Sequence, residues 1–308
     1  MLSDFRFGEE IRHLSIVRVQ KIGATTSGGV FARGVLQDNS GSLNFISFKK
    51  EVVDFLKADP PLVLTVYGTI QVDRYAGEGA KQVNIEEVEI PLEHEDLSHL
   101  LPTTAKNIAE YEARLQGLVD GMAKKHLRQL LKNIFSGEIY KKFLQNPAAM
   151  SYHHAYLGGL LEHSLDTARL AKAIGGEYPD ADVDLIVAGA LLHDLGKIKE
   201  ISPQIGFEYT LSGRYIGHIA LGAMMVEKAI AKTENFPQED ALALVHIIIS
   251  HHGALEKGSP VAPVTREALI VHYADEINST LNQIEQLALS DQADWQYSKM
   301  LGRQVRVR

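Results

Sequence analysis

The chain has 308 residues, 45% hydrophobic and 23% charged, which allows one or two domains with sizeable cores and is ordinary for a soluble globular protein. It has no cysteine, which excludes disulfides and thiolate metal sites and fits a reducing cytoplasm; no apolar run approaches the ~18 residues of a membrane helix, and Met1 to Ser15 lacks a basic-then-apolar signal pattern. A formal net charge of −8 excludes nucleic-acid binding by bulk electrostatics, but not local stacking on single strands.

Residues 1–95 read as β. Leu14 to Ile22 is a first strand, followed by a Gly/Thr/Ser loop from Gly23 to Gly29. Val30 to Gln37 and Ser42 to Lys49 flank Asp38-Asn39-Ser40-Gly41, a hairpin turn. Glu51 to Ala58 has the spacing of one short helix, and Asp59-Pro60-Pro61 stops it. Leu62 to Val72 and Lys81 to Ile90 are two more strands, joined through Asp73 to Gly79. Five strands with a helix between the third and fourth is the order of an OB-fold barrel, which binds oligonucleotides across its second and third strands. The candidate strand-binding residues there are Phe31, Arg33, Phe48, Arg74 and Tyr75. Acidic residues outnumber basic ones in this region, so binding needs a local patch.

The predicted domain boundary lies near residue 95, residues 96–150 are expected as a helical connector or the start of the helical domain, and 151–308 as an all-α domain. Residues 104–134 carry helical spacing (Ile108, Tyr111, Leu115, Leu118, Met122, Leu127, Leu130, Leu131, Ile134), with Thr104 as N-cap. Ile139 to Leu144 is a further helical segment. Helices are then expected over about 152–174, 183–195, 216–232, 238–251 and 265–289, with Gly253 as a C-cap. The short tail from Trp295 to Arg308 is expected to pack back on the domain.

Nine of the thirteen histidines fall between His153 and His272. His163, His193 and His251-His252 each follow an apolar run, and Asp275 lies in another. Buried imidazoles and carboxylates are costly unless paired or metal-bound, so several in one domain point to one shared site. The residues suit two ions: His163, His193, Asp194 and Asp275 around the first, with Asp194 bridging to a second held also by His218 and His251, and His252 as a further candidate. All-N/O ligation suits Mn, Fe, Mg, Ni, Zn or Co. Two ions about 3.5–4 Å apart clamp the attacking and leaving oxygens of a phosphodiester and generate hydroxide at neutral pH. Lys197 is a candidate phosphate contact beside Asp194.

The ordered motifs carry a resemblance. His163, then His193-Asp194, then Asp275 resembles the HD-domain metal-dependent phosphohydrolases. Asn146-Pro-Ala-Ala149, His153-His154-Ala-Tyr-Leu-Gly-Gly-Leu-Leu-Glu-His163, His193-Asp-Leu-Gly-Lys197, Gly213-Arg-Tyr-Ile-Gly-His218, Ser250-His-His-Gly253 with Gly258-Ser-Pro260, and His272-Tyr-Ala-Asp275 together resemble the YhaM-type 3′–5′ exoribonucleases, which also join an OB-fold to an HD domain. The resemblance covers nearly the whole chain. It implies stepwise hydrolysis of single-stranded RNA, or DNA, from the 3′ end to nucleoside monophosphates, with Mn²⁺ or a similar ion and metal-bound hydroxide as nucleophile. Within it, His153 and His154 match a family-typical pair read as substrate phosphate contacts, and Arg214 is a further phosphate candidate. His246 and His272 are expected to be structural. The Gly-Tyr-Pro signature of cyclic-dinucleotide phosphodiesterases is missing after Gly253, which lowers a cyclic-nucleotide phosphohydrolase reading, and the OB module argues against a mononucleotide phosphohydrolase, which needs no strand-binding groove. A non-catalytic single-strand-binding factor is the alternative from another class. The expected location is cytoplasmic with no membrane contact, and a homo-oligomer is compatible with the sequence.

Overall fold

The computed structural model describes the chain except residues 27, 59–62, 74–79, 93–99, 102, 105, 150–155, 204–206, 291–293 and 299–300. The chain forms two compact units, Met1–Pro102 and Thr103–Arg308. The boundary expected near residue 95 falls outside the described residues. Among the described residues no helix is long and apolar enough to cross a membrane.

The first unit is a closed barrel of five strands: β1 (Glu10–Ala24), β2 (Val30–Asp38), β3 (Gly41–Ser47), β4 (Val63–Val72) and β5 (Lys81–Glu89), in the order β1-β2-β3-β5-β4. β1 pairs antiparallel with both β2 and β4, which closes the barrel, and β3 pairs parallel with β5. Closure gives each of the five strands two neighbours. Helix α1 (Lys50–Lys57) lies between β3 and β4 in the chain and buries Val52, Val53 and Leu56 against the same core as Leu36, Phe45, Leu64, Val66 and Ile85. The first strand begins four residues before the sequence suggested. Its register shifts between Val19 and Lys21, a bulge that lets one long strand bend between two neighbours.

The second unit is helical: α2 (Ile108–Asp120), α3 (Lys125–Ile134), α4 (Gly137–Gln145), α5 (Gly159–Gly176), α6 (Val183–Leu192), α7 (Lys197–Glu200), α8 (Leu211–Ile216), α9 (His218–Ile230), α10 (Gln238–Ser250) and α11 (Arg266–Ser290). Two-residue strands β6 (Ile201–Ser202) and β7 (Glu208–Tyr209) pair between α7 and α8, and β8 (Trp295–Ser298) pairs with β9 (Arg303–Arg306) in the tail. Helices α2, α3 and α4 contribute Tyr111, Leu115, Leu127, Leu130 and Phe143 to the core that also holds Leu160, Ile186 and Ile247. The stretch 104–134, expected to be helical, forms two helices separated at Gly121 to Lys124. Its N-cap is Asn107, whose side chain accepts from the N–H groups of Ala109 and Glu110; Thr104 instead donates its hydroxyl to Glu162. The helix carrying His163 starts at Gly159, not near 152, because Gly158 takes a left-handed conformation (φ 80°). The tail does pack back: Ser298 donates to Gln283 on α11, and Arg308 to the Ala288 carbonyl.

Candidate metal centre

Apart from Asp184 in its first turn, helix α6 is apolar all round and almost wholly buried, as a central core helix must be. Asp182 caps its start, accepting from the Leu185 N–H, and His193 is its C-cap. This delivers His193 and Asp194, 0% and 1% exposed, into the centre of the unit. Four other elements converge there. α5 brings His163, the first turn of α9 brings His218, and the end of α10 brings His251 and His252. Asp275 comes from α11.

Close approach requires small residues at two points. A Cβ on Gly196 would lie 2.0 Å from the His218 carbonyl oxygen and 2.6 Å from the Gly222 nitrogen, so glycine there lets α9 sit against the His193-Asp194 turn. Gly253 has φ +82° and a Cβ on it would lie 2.3 Å from the His272 ring.

Asp194 divides the group in two. Its Oδ2 is 3.3 Å from Nε2 of both His163 and His193, while Asp275 Oδ1 is 3.1 Å from His163 Nε2 and 3.7 Å from His193 Nε2. Asp194 Oδ1 is 3.6 Å from His218 Nε2 and 3.7 Å from His251 Nε2. Ligand-capable atoms thus gather within 4.8 Å as His163, His193 and Asp275, as His218, His251 and His252, and as His193, Asp194 and His251 between them.

Each imidazole is turned by a bond on its other nitrogen. Nδ1 of His193 donates to the Ala190 carbonyl, that of His251 to the Ile248 carbonyl, and that of His252 to the Lys257 carbonyl, at 2.7, 2.7 and 2.8 Å. Nδ1 of His163 lies 2.8 Å from Asn278 Oδ1, and that of His218 lies 3.0 Å from Glu200 Oε2. Such bonds fix the tautomer and aim Nε2 inward, as ligating histidines require.

The electrostatics follow. Burial raises the Asp194 carboxyl, but Lys197 and His193 outweigh it and hold it well below the usual carboxylate range. Asp275 is likewise held low, chiefly by His163 once burial is overcome. Burial lowers the His163 imidazole, yet the two carboxylates lift it to about 9. His251 is pushed well below its ordinary value by burial and by its imidazole neighbours. The group therefore combines carboxylates that stay ionised with an imidazole that stays neutral.

The donor set fits a divalent metal. Asp194 Oδ1, His218 Nε2 and His251 Nε2 are buried and, among the described residues, have no hydrogen-bond partner. Buried polar atoms are otherwise almost always satisfied, and these three face one another.

Other sequence-derived candidates divide. Lys197 lines the cavity beside the group, but its Nζ is 2.6 Å from Asp194 Oδ2, so its first role is to hold that carboxylate. Arg214 is exposed on α8 and does not line this cavity. His153 and His154 lie outside the described residues. His272 donates to the His251 carbonyl, and His246 accepts from the Val264 N–H. Glu200 and Asn278, which orient His218 and His163, carry no sequence signal of their own. On the barrel, Phe31, Arg33 and Phe48 line a groove of about 570 Å³, with Phe48 55% exposed. Phe48 is therefore not a core residue. Arg74 and Tyr75 lie outside the described residues.

Comparison with known proteins agrees with this arrangement. The HD domain family matches residues 160–279, which run from the start of α5 to just past Asp275. The chain is 32% identical over 288 residues to the 3′-5′ exoribonuclease YhaM of Listeria welshimeri, covering 93% of this chain and 90% of that one. It is similar to the same extent to the YhaM proteins of Listeria innocua and Listeria monocytogenes. With its closed N-terminal barrel and C-terminal HD domain, the chain belongs to the YhaM exoribonuclease family.

Proposed function

We propose that this protein is a metal-dependent 3′–5′ exoribonuclease that shortens single-stranded RNA to nucleoside monophosphates. The observation that carries the reading is the division of donors around Asp194, whose two carboxylate oxygens face two different sets of imidazoles. His163, His193, Asp194 and Asp275 would hold one divalent ion, and Asp194, His218, His251 and His252 a second. Nitrogen and carboxylate donors suit manganese, and also iron, cobalt, nickel, zinc or magnesium. Such a pair, when bound, supplies positive charge to the phosphodiester oxygens and acidifies the attacking water.

The chain's own residues do the rest. Lys197 keeps Asp194 ionised and fixed in orientation through a 2.6 Å bond to Oδ2. The backbone carbonyls of Ala190, Ile248 and Lys257 hold three imidazoles in one tautomer, so no ring needs to reorient during turnover. Asn146 donates to the Lys197 and Ile201 carbonyls and so braces the turn that carries Lys197.

We read the barrel as an OB-fold that grips the strand. Phe31 and Phe48 offer ring faces in one groove with Arg33, and stacking tolerates any base while contributing about 1–3 kcal/mol per base. That route to affinity suits a chain of net charge −8. The absence of cysteine fits a cytoplasmic place of action.

The test is hydrolysis of a single-stranded oligoribonucleotide labelled at either end, with Mn²⁺. The 5′ label should shorten stepwise and the 3′ label should appear at once as monophosphate, and both should stop with His193→Ala. No monophosphate from wild type, or full activity in His193→Ala, would overturn the reading. Single-stranded DNA in the same assay decides whether deoxy strands are substrates.

A further inference from the structure

The cavity of about 390 Å³ beside the candidate metal centre is of nucleotide-binding size, and its lining extends beyond the ligand set to Lys257, Glu276, Ser279 and Thr280. Glu276 follows Asp275 directly on α11. Its Oε1 accepts from Lys257 Nζ at 2.6 Å, and its Oε2 lies 3.5 Å from His272 Nε2. His272 in turn donates through Nδ1 to the His251 carbonyl. The carboxylate is thus held by Lys257, with the His272 ring beside it, yet Glu276 stays 45% exposed toward solvent.

A carboxylate in this place is unfavourable for a polyanion unless the substrate brings hydrogen-bond donors to it. Next to a scissile phosphate at an RNA 3′ end, the donors common to all four nucleotides are the vicinal 2′- and 3′-hydroxyls of the terminal ribose. Two O–H donors match the acceptor capacity of one carboxylate, and bonds of this charged kind are the strong ones.

We propose that Glu276, positioned by Lys257, reads the 2′,3′-diol of the terminal ribose and so makes a free 3′-hydroxyl end part of the substrate definition. This rests on the exoribonuclease reading. A 3′-phosphate would bring a second negative charge against Glu276 and be rejected. A 3′-deoxy end would leave the carboxylate without its donor, the kind of loss that hydrogen-bonding sites discriminate strongly. Thr280, one turn further along α11 in the same lining, gives the ribose a second polar neighbour.

The experiment compares wild type with Glu276→Gln on oligoribonucleotides ending in 3′-hydroxyl, 3′-phosphate or 3′-deoxyribose, after bound manganese is measured in both proteins. Wild type should prefer the 3′-hydroxyl end at least about tenfold in kcat/KM. Glu276→Gln should keep its manganese, show a raised KM on the 3′-hydroxyl end, and lose most of that preference. An unchanged preference in the variant would overturn the proposal. So would a changed preference among the four bases with the hydroxyl dependence intact. Calorimetric binding of adenosine 5′-monophosphate against its 2′,3′-dideoxy analogue gives a readout free of turnover. Wild type should bind the diol at least about tenfold more tightly and Glu276→Gln should not; equal ratios in the two proteins would overturn the proposal. If wild type degrades no RNA, the exoribonuclease reading fails by itself, and the nucleotide-binding ratios still decide the role of Glu276.

Discussion

Asp194 Oδ1 lies 3.7 Å from His251 Nε2, and neither buried atom has a hydrogen-bond partner among the described residues. An unsatisfied buried polar atom costs about 1–3 kcal/mol, more for a charged group. Two facing each other as acceptors have no stabilising explanation in the protein alone. A cation between them supplies one. The other oxygen of Asp194 is bound by Lys197 and faces His163 and His193, so one carboxylate links two halves of the centre.

Glu200 tests whether those halves are separable. It accepts from the His218 backbone N–H at 2.9 Å and holds the His218 ring through Nδ1. Glu200→Ala should weaken the affinity of the second ion about 10–100-fold and leave the first nearly unchanged. Manganese titration of metal-stripped protein reads this directly; equal loss of both ions would contradict it.

Gly196 tests the approach of α9. In Gly196→Ala the new methyl meets the His218 carbonyl and the Gly222 nitrogen, both backbone, so α9 must shift. Overpacking of this kind costs about 1–3 kcal/mol. We expect a lowered melting temperature together with loss of the second ion. A variant that melts and binds metal like wild type would show that α9 does not need this contact.

The barrel groove is probed by Phe48→Ala. Phe48 is exposed, so its removal should cost little stability. Affinity for a single-stranded oligoribonucleotide should fall about tenfold or more, the loss of one stacked base, with turnover of a small model phosphodiester unchanged. Anisotropy and a chromogenic diester measure the two; unaltered RNA affinity would remove Phe48 from the strand path.

Asp38 carries a pH prediction. Burial raises its carboxyl, but bonds from His13, from the Ser40 hydroxyl and from the Leu2 and Ser40 N–H groups prevail and hold it well below the usual range. A carboxyl depressed in the folded state stabilises above its unfolded value near ~3.9, and that contribution is lost as pH falls through the lower, folded one. Asp38→Asn should therefore destabilise the barrel by about 1–3 kcal/mol near pH 7, with a difference that shrinks steadily below about pH 4. Hydrogen exchange of β1 and β2 amides in the full chain follows it. A difference constant down to pH 3 would contradict this assignment.

His163, His193-Asp194, His251-His252 and Asp275 were legible in the sequence because each interrupts an apolar run, whereas His218 has no such run before it. A helix as buried as α6 cannot end in His-Asp without a purpose for both. The barrel was legible from five strand-like segments, the Asp38-Asn39-Ser40-Gly41 turn and a single helix in the right interval. Other features were not, for physical reasons. Segments α7, α8, β6 and β7 are too short to show a period. Thr104 is a good cap by type, but it is spent on Glu162, 58 residues away. The carbonyl bonds that turn each imidazole, and the role of Glu200, depend on tertiary approach, which no local pattern encodes. The sequence marks Lys197 as a phosphate candidate, but its bond to Asp194, three residues earlier, depends on the turn between α6 and α7 and shows only in the structure.

The most direct test of the two-ion account is metal stoichiometry. Metal-stripped wild type titrated with Mn²⁺ and read by elemental analysis should bind two ions per chain, and Asp194→Asn, still folded by circular dichroism, should bind neither tightly and release no monophosphate from RNA. A wild type that binds one ion or none, or an Asp194→Asn variant that keeps both ions, would contradict it.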